Sequence, residues 1–416
     1  MPAQKSYIEE IAQKARAVSY EISSRGTGEK NALLNSIADE LSENHDLILE
    51  ANKKDVFALN AEKGKAFLDR LKLDDKRIEA MVTTIRDIAA QPDPIGSGNW
   101  INKRPNGLKI MKIRIPIGVV AIIYESRPNV TSDIAAMTLK TGNSVILRGG
   151  KESIHTNCAI VGLIHDAMKK NNFPEDSVQF IEKTDYEHAA ELLKQSNCID
   201  VVIPRGGEKL IKFVEEHSKI PVIKHDKGIC HIYVDEIADK VKAENITINA
   251  KVQKPSVCNA AETLLIHKKY PHAKSLIQAL LDKEVEVVGD AGVLQMFKAL
   301  KPATEEDWFT EYLDLKISVK MVDGVGEAIN HINRYGSHHS DAIVSECYDN
   351  IQLFLDRVDS AAVYANASTR FTDGGEFGLG AEVGISTQKI HVRGPMGLEG
   401  LTTEKWVVYG DGQVRE

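Results

Sequence analysis

From Gly118 to about His217, short apolar runs alternate with amphipathic helical segments, and this alternation restricts the fold more than any other feature of the sequence. The first run, Val119–Ile123, is apolar at every position, which is typical of a strand covered on both faces of its sheet. Strands that alternate with helices form βαβ units around a parallel sheet, so the sequence predicts an α/β fold. The predicted strands are Val119–Ile123, Ser144–Leu147, Val178–Ile181 and Ile199–Ile203, and the predicted helices are Ser132–Lys140, Ser153–Lys169, His188–Lys194 and Glu208–His217.

Three of these strands end in polar or glycine-rich turns, YESRPN (124–129), RGGKES (148–153) and IPRGGE (203–208). Open α/β sheets bind ligands outside the carboxyl ends of their strands, so we expect the three turns to line one crevice. Glycines let the backbone approach a phosphate, and a helix N-terminus favours an anion. Each RGG turn alone fits a plain turn as well as a nucleotide site, but two in one sheet favour a dinucleotide or phosphate site.

A second constraint comes from Cys258, in the segment KVQKPSVCNAAET (251–263), which precedes the apolar run Leu264–Ile266. A cysteine on a loop that feeds a buried strand is held in place while its sulfur can face a cleft, as a nucleophile requires. A buried, inert thiol fits the same pattern. The five cysteines lie far apart without a C-x-x-C pair, which favours reduced thiols over disulfides or a zinc site. Adjacent His338 and His339 need not face one ion, so no metal is predicted.

The flanking regions complete the predicted organisation. Residues 7–87 have helical periodicity and predict a covering layer, and a second α/β region follows Cys258 to about Tyr364. The alternating segment Leu108–Ile115 and the late strand Trp406–Tyr409 predict a paired arm whose apolar faces a second subunit covers. The net charge of -8 argues against nucleic acid as a partner. The sequence contains no apolar run of the length that a membrane span needs, and its start does not resemble a secretory leader, so we expect neither a membrane span nor secretion.

Several segments together resemble the aldehyde dehydrogenase superfamily: IPIGVVAIIYESRPNVTSD, VILRGGKES, IPRGGE, CHIYVD, QKPSVCNAAETLL, INRYGSHHSDAIVSE and FTDGGEFGLGAEVGISTQKIHVRGPMGLEGLTT. Within it, they are similar to the branch that reduces γ-glutamyl phosphate to glutamate 5-semialdehyde in proline biosynthesis. The resemblance implies a Rossmann-type cofactor domain, an α/β catalytic domain and a small β oligomerisation arm. The implied bounds are 1–98 with 117–250 and 365–387 for the cofactor domain, 251–364 for the catalytic domain, and 99–116 with 388–416 for the arm.

The resemblance also implies the roles of individual residues. Cys258 would attack an acyl phosphate and form a thioester, and Asn129 with the backbone N–H of Cys258 would bind the oxyanion. For NADPH, Arg148 would hold the adenosine ribose, Gly206 and Gly207 the pyrophosphate, and Glu311 the nicotinamide ribose. For the substrate, the candidate cations are Arg127, Lys254 and Arg393.

Two departures from the wider superfamily refine this expectation. Lys151 stands where NAD-preferring relatives often carry a glutamate, so a 2′-phosphate and hence NADPH are favoured. The segment HDKGICH (225–231) places His225 at or near the position of the glutamate that activates water in hydrolytic relatives. The thioester should therefore exchange with phosphate and not with water, although an imidazole at His225 could in principle replace the glutamate.

The resemblance further implies a cytoplasmic enzyme, a homo-oligomer and glutamate 5-kinase as a partner. Two alternatives stay open on the sequence alone. One is another NAD(P)-dependent aldehyde or CoA-acylating dehydrogenase of the same superfamily. The other is a nucleotide-binding scaffold that keeps the RGG turns and makes no use of Cys258, because a fold does not by itself fix a function.

Overall fold

The computed structural model describes residues 5–59, 65–224 and 227–415, and it divides into two compact units. Unit 1 comprises Met1–Lys224, Gly378–Gly384 and Met396–Glu416, and unit 2 comprises His225–Phe377 and Ile385–Pro395. Among the described residues, no helix has the length and apolar character needed to cross a bilayer.

Unit 1 begins with the predicted helical layer. Ser6 starts the first helix by accepting the N–H of Glu9 on its hydroxyl, and Asp74 does the same for Arg77 at the start of the fifth, which is how short polar side chains cap helices. The helical conformation is interrupted at Asn44, so the periodic stretch that begins near residue 31 lies in two successive helices. The helices are α1 (Tyr7–Ile22), α2 (Thr27–Glu43), α3 (His45–Ala58), α4 (Lys65–Leu71) and α5 (Asp75–Ala90).

The alternating region of unit 1 forms a parallel sheet of the predicted kind. Its strands are β3 (Val119–Tyr124), β4 (Ser144–Arg148), β5 (Val178–Phe180) and β6 (Val201–Arg205), which follow β1 (Gly98–Lys103) and β2 (Lys109–Pro116), and its helices are α6 (Pro128–Lys140), α7 (Ile154–Lys170), α8 (Tyr186–Leu192) and α9 (Glu208–His217). The order is β5-β4-β3-β6, and central β3 is buried along its whole length, as its continuous apolar run predicts. The parallel α/β class is therefore confirmed.

Unit 2 contains a seven-stranded parallel sheet. Its elements are β7 (Cys230–Val234), α10 (Lys240–Val252), β8 (Ala261–His267), α11 (Ala273–Leu281), β9 (Glu286–Gly289), α12 (Ala291–Met296), β10 (Lys301–Pro302), β11 (Lys316–Val322), α13 (Val325–Tyr335), β12 (Ser340–Val344), α14 (Tyr348–Arg357), β13 (Ala362–Ala365), and the short pair β14 (Ile385–Ser386) and β15 (Gly394–Pro395). The strand order is β10-β9-β11-β8-β7-β12-β13. Leu264 and Ile266 of β8 pack into the core on one face, and Leu265 packs on the other.

The division into functional domains at residue 251 stays a prediction. Strand β7, which that division assigns to the cofactor domain, pairs with β8 and β12 of unit 2. Likewise, β15, which it assigns to the arm, pairs with β14 in unit 2. Backbone pairing between distant segments decides this membership, and local sequence patterns do not record it.

The predicted pairing of the late strand with the arm is confirmed. Strand β16 (Thr402–Tyr409) runs antiparallel to β2, which also pairs with β1, and the three form a separate sheet. Trp100 and Tyr409 contact each other across this sheet, with ring centroids 6.0 Å apart, and both are exposed in the single chain. Trp406 and Val408 are also exposed. This sheet, β1-β2-β16, is called the arm below.

Candidate active site

Cys258 lies in the turn between α10 and β8, and its side chain is partly exposed. The Cys230 thiol donates a hydrogen bond to the Cys258 carbonyl oxygen, with Sγ 3.2 Å away. Cys230 itself is fully buried at the start of β7, and burial raises its pKa well above the ordinary value. All five cysteines lie among the described residues and are thiols. Of this close pair, Cys258 is therefore the thiol that solvent and a substrate can reach.

Gly228 packs backbone to backbone against Cys258. A Cβ added at Gly228 would lie 2.0 Å from the Cys258 carbonyl oxygen and 2.5 Å from its carbonyl carbon and its Cα. No side chain fits such a contact without moving one of the two backbones. The Gly228 N–H also donates to Glu311 Oε1 at 2.8 Å, which helps to fix the position of Gly228. Gly228 thus sets the position of the Cys258 backbone.

We expect Gly228→Ala to lower kcat by about 10²-fold, because a displacement near 1 Å at a reacting group has an effect of that size. The measurement is steady-state turnover, with thermal unfolding recorded in parallel. Gly326→Ala is the matched control, because Gly326 lies in α13 of the same unit and its added Cβ meets open space. A Gly228→Ala variant with unchanged kcat would show that the contact does not position the thiol.

The residue after Cys258 is held by a segment more than a hundred positions away. The Asn259 side chain donates to the Thr372 carbonyl oxygen at 2.8 Å, and its Oδ1 accepts from Arg370 Nη1. Arg370 Nε also donates to Gln253 Oε1 at 2.8 Å. The guanidinium therefore bridges both sides of the turn that carries Cys258. Sequence reasoning missed Arg370, because no local pattern connects it to this turn.

A fully buried ion pair joins the ends of the same turn. Lys251 Nζ, at the end of α10, lies 2.6 Å from Glu262 Oε2 in β8, and neither side chain is exposed. Burial lowers the pKa of Lys251 and raises the pKa of Glu262 to about 7. Glu262 Oε1 also accepts the Leu313 N–H at 3.2 Å. Because a buried charge left without its partner costs about 3–5 kcal/mol, this pair holds the two ends of the turn together.

The contacts or the exposure of Glu311 and of two predicted substrate-binding cations, Arg393 and Lys254, can be described from the structure. Glu311 binds the Gly228 N–H, as described, and its predicted role toward a ribose stays a prediction. Arg393 donates through Nη1 to Asp359 Oδ1 at 2.9 Å and through Nη2 to the Asp359 carbonyl oxygen at 3.0 Å. Lys254 is exposed on the Cys258 turn. Arg393 is thus engaged in an ion pair within unit 2, whereas Lys254 lies four residues before Cys258 in the sequence.

The three predicted turns of unit 1 follow β3, β4 and β6, and these strands are neighbours in the sheet. The Glu125 N–H donates to the Arg205 carbonyl oxygen at 3.0 Å, and Glu125 Oε2 accepts the Gly207 N–H at 3.0 Å. A Cβ added at Gly206 would lie 2.7 Å from the Glu125 Cδ. The turns are therefore brought together, and an exposed carboxylate lies against the glycines predicted to bind pyrophosphate.

Asn129 lies inside the first turn of helix α6 and does not cap the helix. Helix α6 begins at Pro128, four residues before its predicted start, because proline fits the first turn, where its missing N–H is not needed. The cap position belongs to exposed Arg127, and Asn129 lies in the first turn. Its Nδ2 donates to Asp133 Oδ2 at 3.0 Å, and burial raises the pKa of Asp133 to about 6. Asp133 thus fixes the orientation of the exposed Asn129 amide.

Arg148 is buried at the end of β4, while Lys151 is exposed. Arg148 donates through Nη2 to the Thr184 carbonyl oxygen, and its guanidinium lies 5.9 Å from the centre of the Tyr186 ring. Its buried Nε has no hydrogen-bond partner among the described residues. A buried donor without an acceptor fits a ligand oxygen, such as a ribose hydroxyl, at this position.

The RGGKES turn does not offer its helix N-terminus to a phosphate. The carboxylate of Asp55, in α3, accepts the N–H of His155 at 3.1 Å and the N–H and hydroxyl of Thr156. These are the first amides of α7, so the expected anion position is already filled by a residue of the chain. A side chain from a distant helix therefore supplies the cap of α7, and a dinucleotide or phosphate site at the two RGG turns stays a prediction. His225 lies outside the described residues.

Comparisons with known proteins agree with this architecture. The aldehyde dehydrogenase family model matches residues 2–294. The γ-glutamyl phosphate reductase of Aquifex aeolicus is 51% identical over 428 residues, which cover 99% of this chain and 97% of that protein. The crystal structure of γ-glutamyl phosphate reductase from Thermotoga maritima has a TM-score of 0.95 and 46% identity, covering 99% of this chain and all of that one. The chain therefore belongs to the aldehyde dehydrogenase family.

A more distant structure shows how widely the fold extends. Glyceraldehyde-3-phosphate dehydrogenase GapN from Methanocaldococcus jannaschii, solved in complex with NADP, has a TM-score of 0.71 at 15% identity, covering 99% of this chain and 96% of that one. This likeness shows the fold alone. The narrower grouping comes from relatives with nearly full-length similarity, such as the two reductases above.

Proposed function

We propose that this chain reduces L-glutamate 5-phosphate to L-glutamate 5-semialdehyde and phosphate, with NADPH as reductant, in proline biosynthesis. The observation that carries the proposal is the partly exposed Cys258, held from several sides on a turn before a buried strand. The nearly full-length similarity to γ-glutamyl phosphate reductases supports the choice of substrate.

The chemistry begins at Cys258. Its thiolate attacks the acyl carbon, a C–S bond forms, and the C–O bond to phosphate breaks, which leaves a thioester. When bound, NADPH supplies the hydride that reduces this thioester. The Cys258 N–H and the Asn129 amide are proposed to stabilise the oxyanion, and Asp133 fixes the orientation of that amide. Collapse of the thiohemiacetal then releases the aldehyde and returns the thiol.

The proposed cofactor residues are those of the three turns in unit 1, together with Glu311. Arg148, whose buried Nε lacks an acceptor among the described residues, is proposed to hold the adenosine ribose. Gly206 and Gly207 are proposed to face the pyrophosphate, and for this the Glu125 carboxylate must release the Gly207 N–H. Exposed Lys151 is proposed to bind the 2′-phosphate that distinguishes NADPH from NADH.

We expect Lys151→Glu to shift the preference from NADPH toward NADH by about ten- to a hundredfold, because one charge-assisted bond contributes about 1.5–3 kcal/mol. The measurement is kcat/KM for both cofactors in the variant and the wild type. Lys209→Glu, which makes the same charge change on an exposed position of α9, is the matched control. Unchanged discrimination in Lys151→Glu would assign the 2′-phosphate to another cation, with Arg148 as the next candidate.

Recognition of the substrate requires cations for its phosphate and its α-carboxylate. Arg127 and Lys254 are exposed and are proposed for these roles. Arg393 is proposed with them, and its bonds to Asp359 mean that it would bind a substrate as part of an existing ion pair. Kinetic measurements on alanine variants of the three residues test these roles, because loss of a substrate contact raises KM or lowers kcat/KM.

The second candidate function is reduction or oxidation of another acyl group by the same Cys258 chemistry. Assays with γ-glutamyl phosphate, other acyl phosphates, acyl-CoA thioesters and free aldehydes separate the two. The proposal predicts the highest kcat/KM for γ-glutamyl phosphate. A higher value for an acyl-CoA thioester would replace it with a CoA-acylating activity.

We further propose that the chain is a cytoplasmic homo-oligomer that assembles through the arm and takes its substrate from glutamate 5-kinase. The exposed Trp100, Trp406 and Tyr409 support assembly, because burial of large aromatic side chains favours association. Sedimentation velocity at micromolar concentration is expected to show a particle larger than one chain. A monomer would exclude the arm as an assembly surface. Copurification of the chain with glutamate 5-kinase tests whether the kinase is a partner.

A further inference from the structure

We propose that Arg370 provides the positive charge that stabilises the Cys258 thiolate. This inference rests on the proposed function of Cys258 as the nucleophile and adds the group that activates it. The established chemistry of cysteine supports such a role, because a neighbouring guanidinium favours the thiolate over the thiol. Three observations within unit 2 carry the assignment.

The first observation is the fixed position of the guanidinium. Nε donates to Gln253 Oε1 at 2.8 Å, and Nη1 donates to Asn259 Oδ1. Gln253 precedes the Cys258 turn, and Asn259 is the residue next to Cys258. Because Asn259 is itself bound to the Thr372 carbonyl oxygen at 2.8 Å, the charge and the thiol belong to one hydrogen-bonded assembly.

The second observation is the nature of the partners. Both acceptors are neutral amide oxygens, and among the described residues no carboxylate forms an ion pair with Arg370. The side chain is partly buried, and a cation removed from water needs a compensating anion. Two other arginines of unit 2 pair with carboxylates, Arg334 with Glu305 at 3.4 Å and Arg393 with Asp359 at 2.9 Å.

The third observation is electrostatic. Burial lowers the pKa of Arg370, and the interaction with a charged Cys258 is the largest effect that opposes this lowering. The charges of Asp373 and Glu376 contribute less. A charged Cys258 thus favours the protonated guanidinium, and the interaction is mutual, so the guanidinium favours the Cys258 thiolate.

Other titratable groups near the turn must be considered when Cys258 is titrated. The buried Lys251–Glu262 pair links the ends of the turn, Cys230 is kept as a neutral thiol by burial, and Glu311 binds Gly228. Further charged or titratable groups on the described parts of these elements include Lys227, Lys254, His339, Asp341, Asp373 and Glu376. Arg370 differs from these in being a cation bound to both flanks of Cys258.

The test is the pH dependence of Cys258 alkylation by iodoacetamide, in which the thiolate displaces iodide and forms a thioether. The rate is followed by mass spectrometry of the peptide that contains Cys258, so that the other cysteines do not contribute. We expect an apparent pKa below the ordinary value of about 8.5 in the wild type. Arg370→Gln should raise it by about one unit, which slows alkylation near pH 7 by about tenfold.

Two further variants make the result decisive. Arg370→Lys keeps the charge and should stay close to the wild-type profile, whereas a profile like that of Arg370→Gln would assign Arg370 to loop geometry and overturn the proposal. Arg334→Gln removes an exposed arginine of the same unit and should leave the profile unchanged. Identical profiles in the wild type and Arg370→Gln, with γ-glutamyl phosphate still reduced, would refute the role of Arg370 and leave the proposed function intact. If Arg370→Gln shifts the profile but the wild-type enzyme does not reduce γ-glutamyl phosphate, the role of Arg370 stands and the proposed function is refuted.

Discussion

Replacement of Cys258 by alanine is expected to abolish reduction of the acyl phosphate, with a loss of several orders of magnitude in kcat. Without the sulfur, the acyl group has no covalent attachment, and the reaction loses the two-step route that makes each step accessible. Cys230 cannot substitute, because it is fully buried, its thiol bonds to the Cys258 carbonyl oxygen, and burial raises its pKa. The measurement is oxidation of NADPH with γ-glutamyl phosphate supplied by a kinase.

The matched control is Cys347→Ser. Cys347 precedes α14 in the same unit, and serine suits the start of a helix, so this variant should fold and keep its activity. The sequence alone predicts that all four other cysteines tolerate replacement. The structure restricts that prediction, because Cys230 contacts the backbone of Cys258 and its replacement should disturb the turn. Substantial activity in Cys258→Ala would end the thioester mechanism.

In the reverse direction, the enzyme is expected to oxidise glutamate 5-semialdehyde with NADP only when phosphate is present. The segment HDKGICH has no carboxylate at the position expected for a base that activates water. Such a base typically accelerates a reaction by about 10²–10⁴-fold, so hydrolysis of the thioester should be slower by a factor of that size. Phosphate needs no base, because it arrives as an anion and cations attract it.

The measurement is reduction of NADP with phosphate, with arsenate as a substitute acceptor, and with neither. A His225→Ala variant is the informative companion, because an imidazole at that position could activate water. Steady turnover without either anion would show that water is an adequate acceptor. If that turnover disappeared in His225→Ala, the histidine would be the base.

The fold and the placement of Cys258 were accessible from the sequence because local patterns encode them. The continuous apolar run of β3 follows directly from burial on both faces, and the position of Cys258 before β8 follows from one turn and one strand. The pairing of β16 with β2 was also predictable, because both strands alternate apolar and polar residues. The patterns that predict these features are each contained in a short stretch of sequence.

The parts that sequence reasoning missed depend on contacts between distant segments. Arg370 reaches Asn259 across 111 positions, and Asp55 caps α7 across about a hundred. The RGG turns have the same local sequence, yet a distant carboxylate fills the helix N-terminus after one of them and an adjacent carboxylate lies against the other. The Lys251–Glu262 pair lies inside the segment that was singled out, but only the fold shows that both charges are buried.

In the proposed reaction, Cys258 carries the glutamyl group. The most direct measurement is mass spectrometry of the peptide containing Cys258 after the enzyme has reacted with kinase-generated γ-glutamyl phosphate in the absence of NADPH. We expect a glutamyl adduct on Cys258, release of an equal amount of phosphate, and loss of the adduct when NADPH is added. Oxidation of NADPH by γ-glutamyl phosphate with no adduct on Cys258, or with the adduct on another residue, would contradict it.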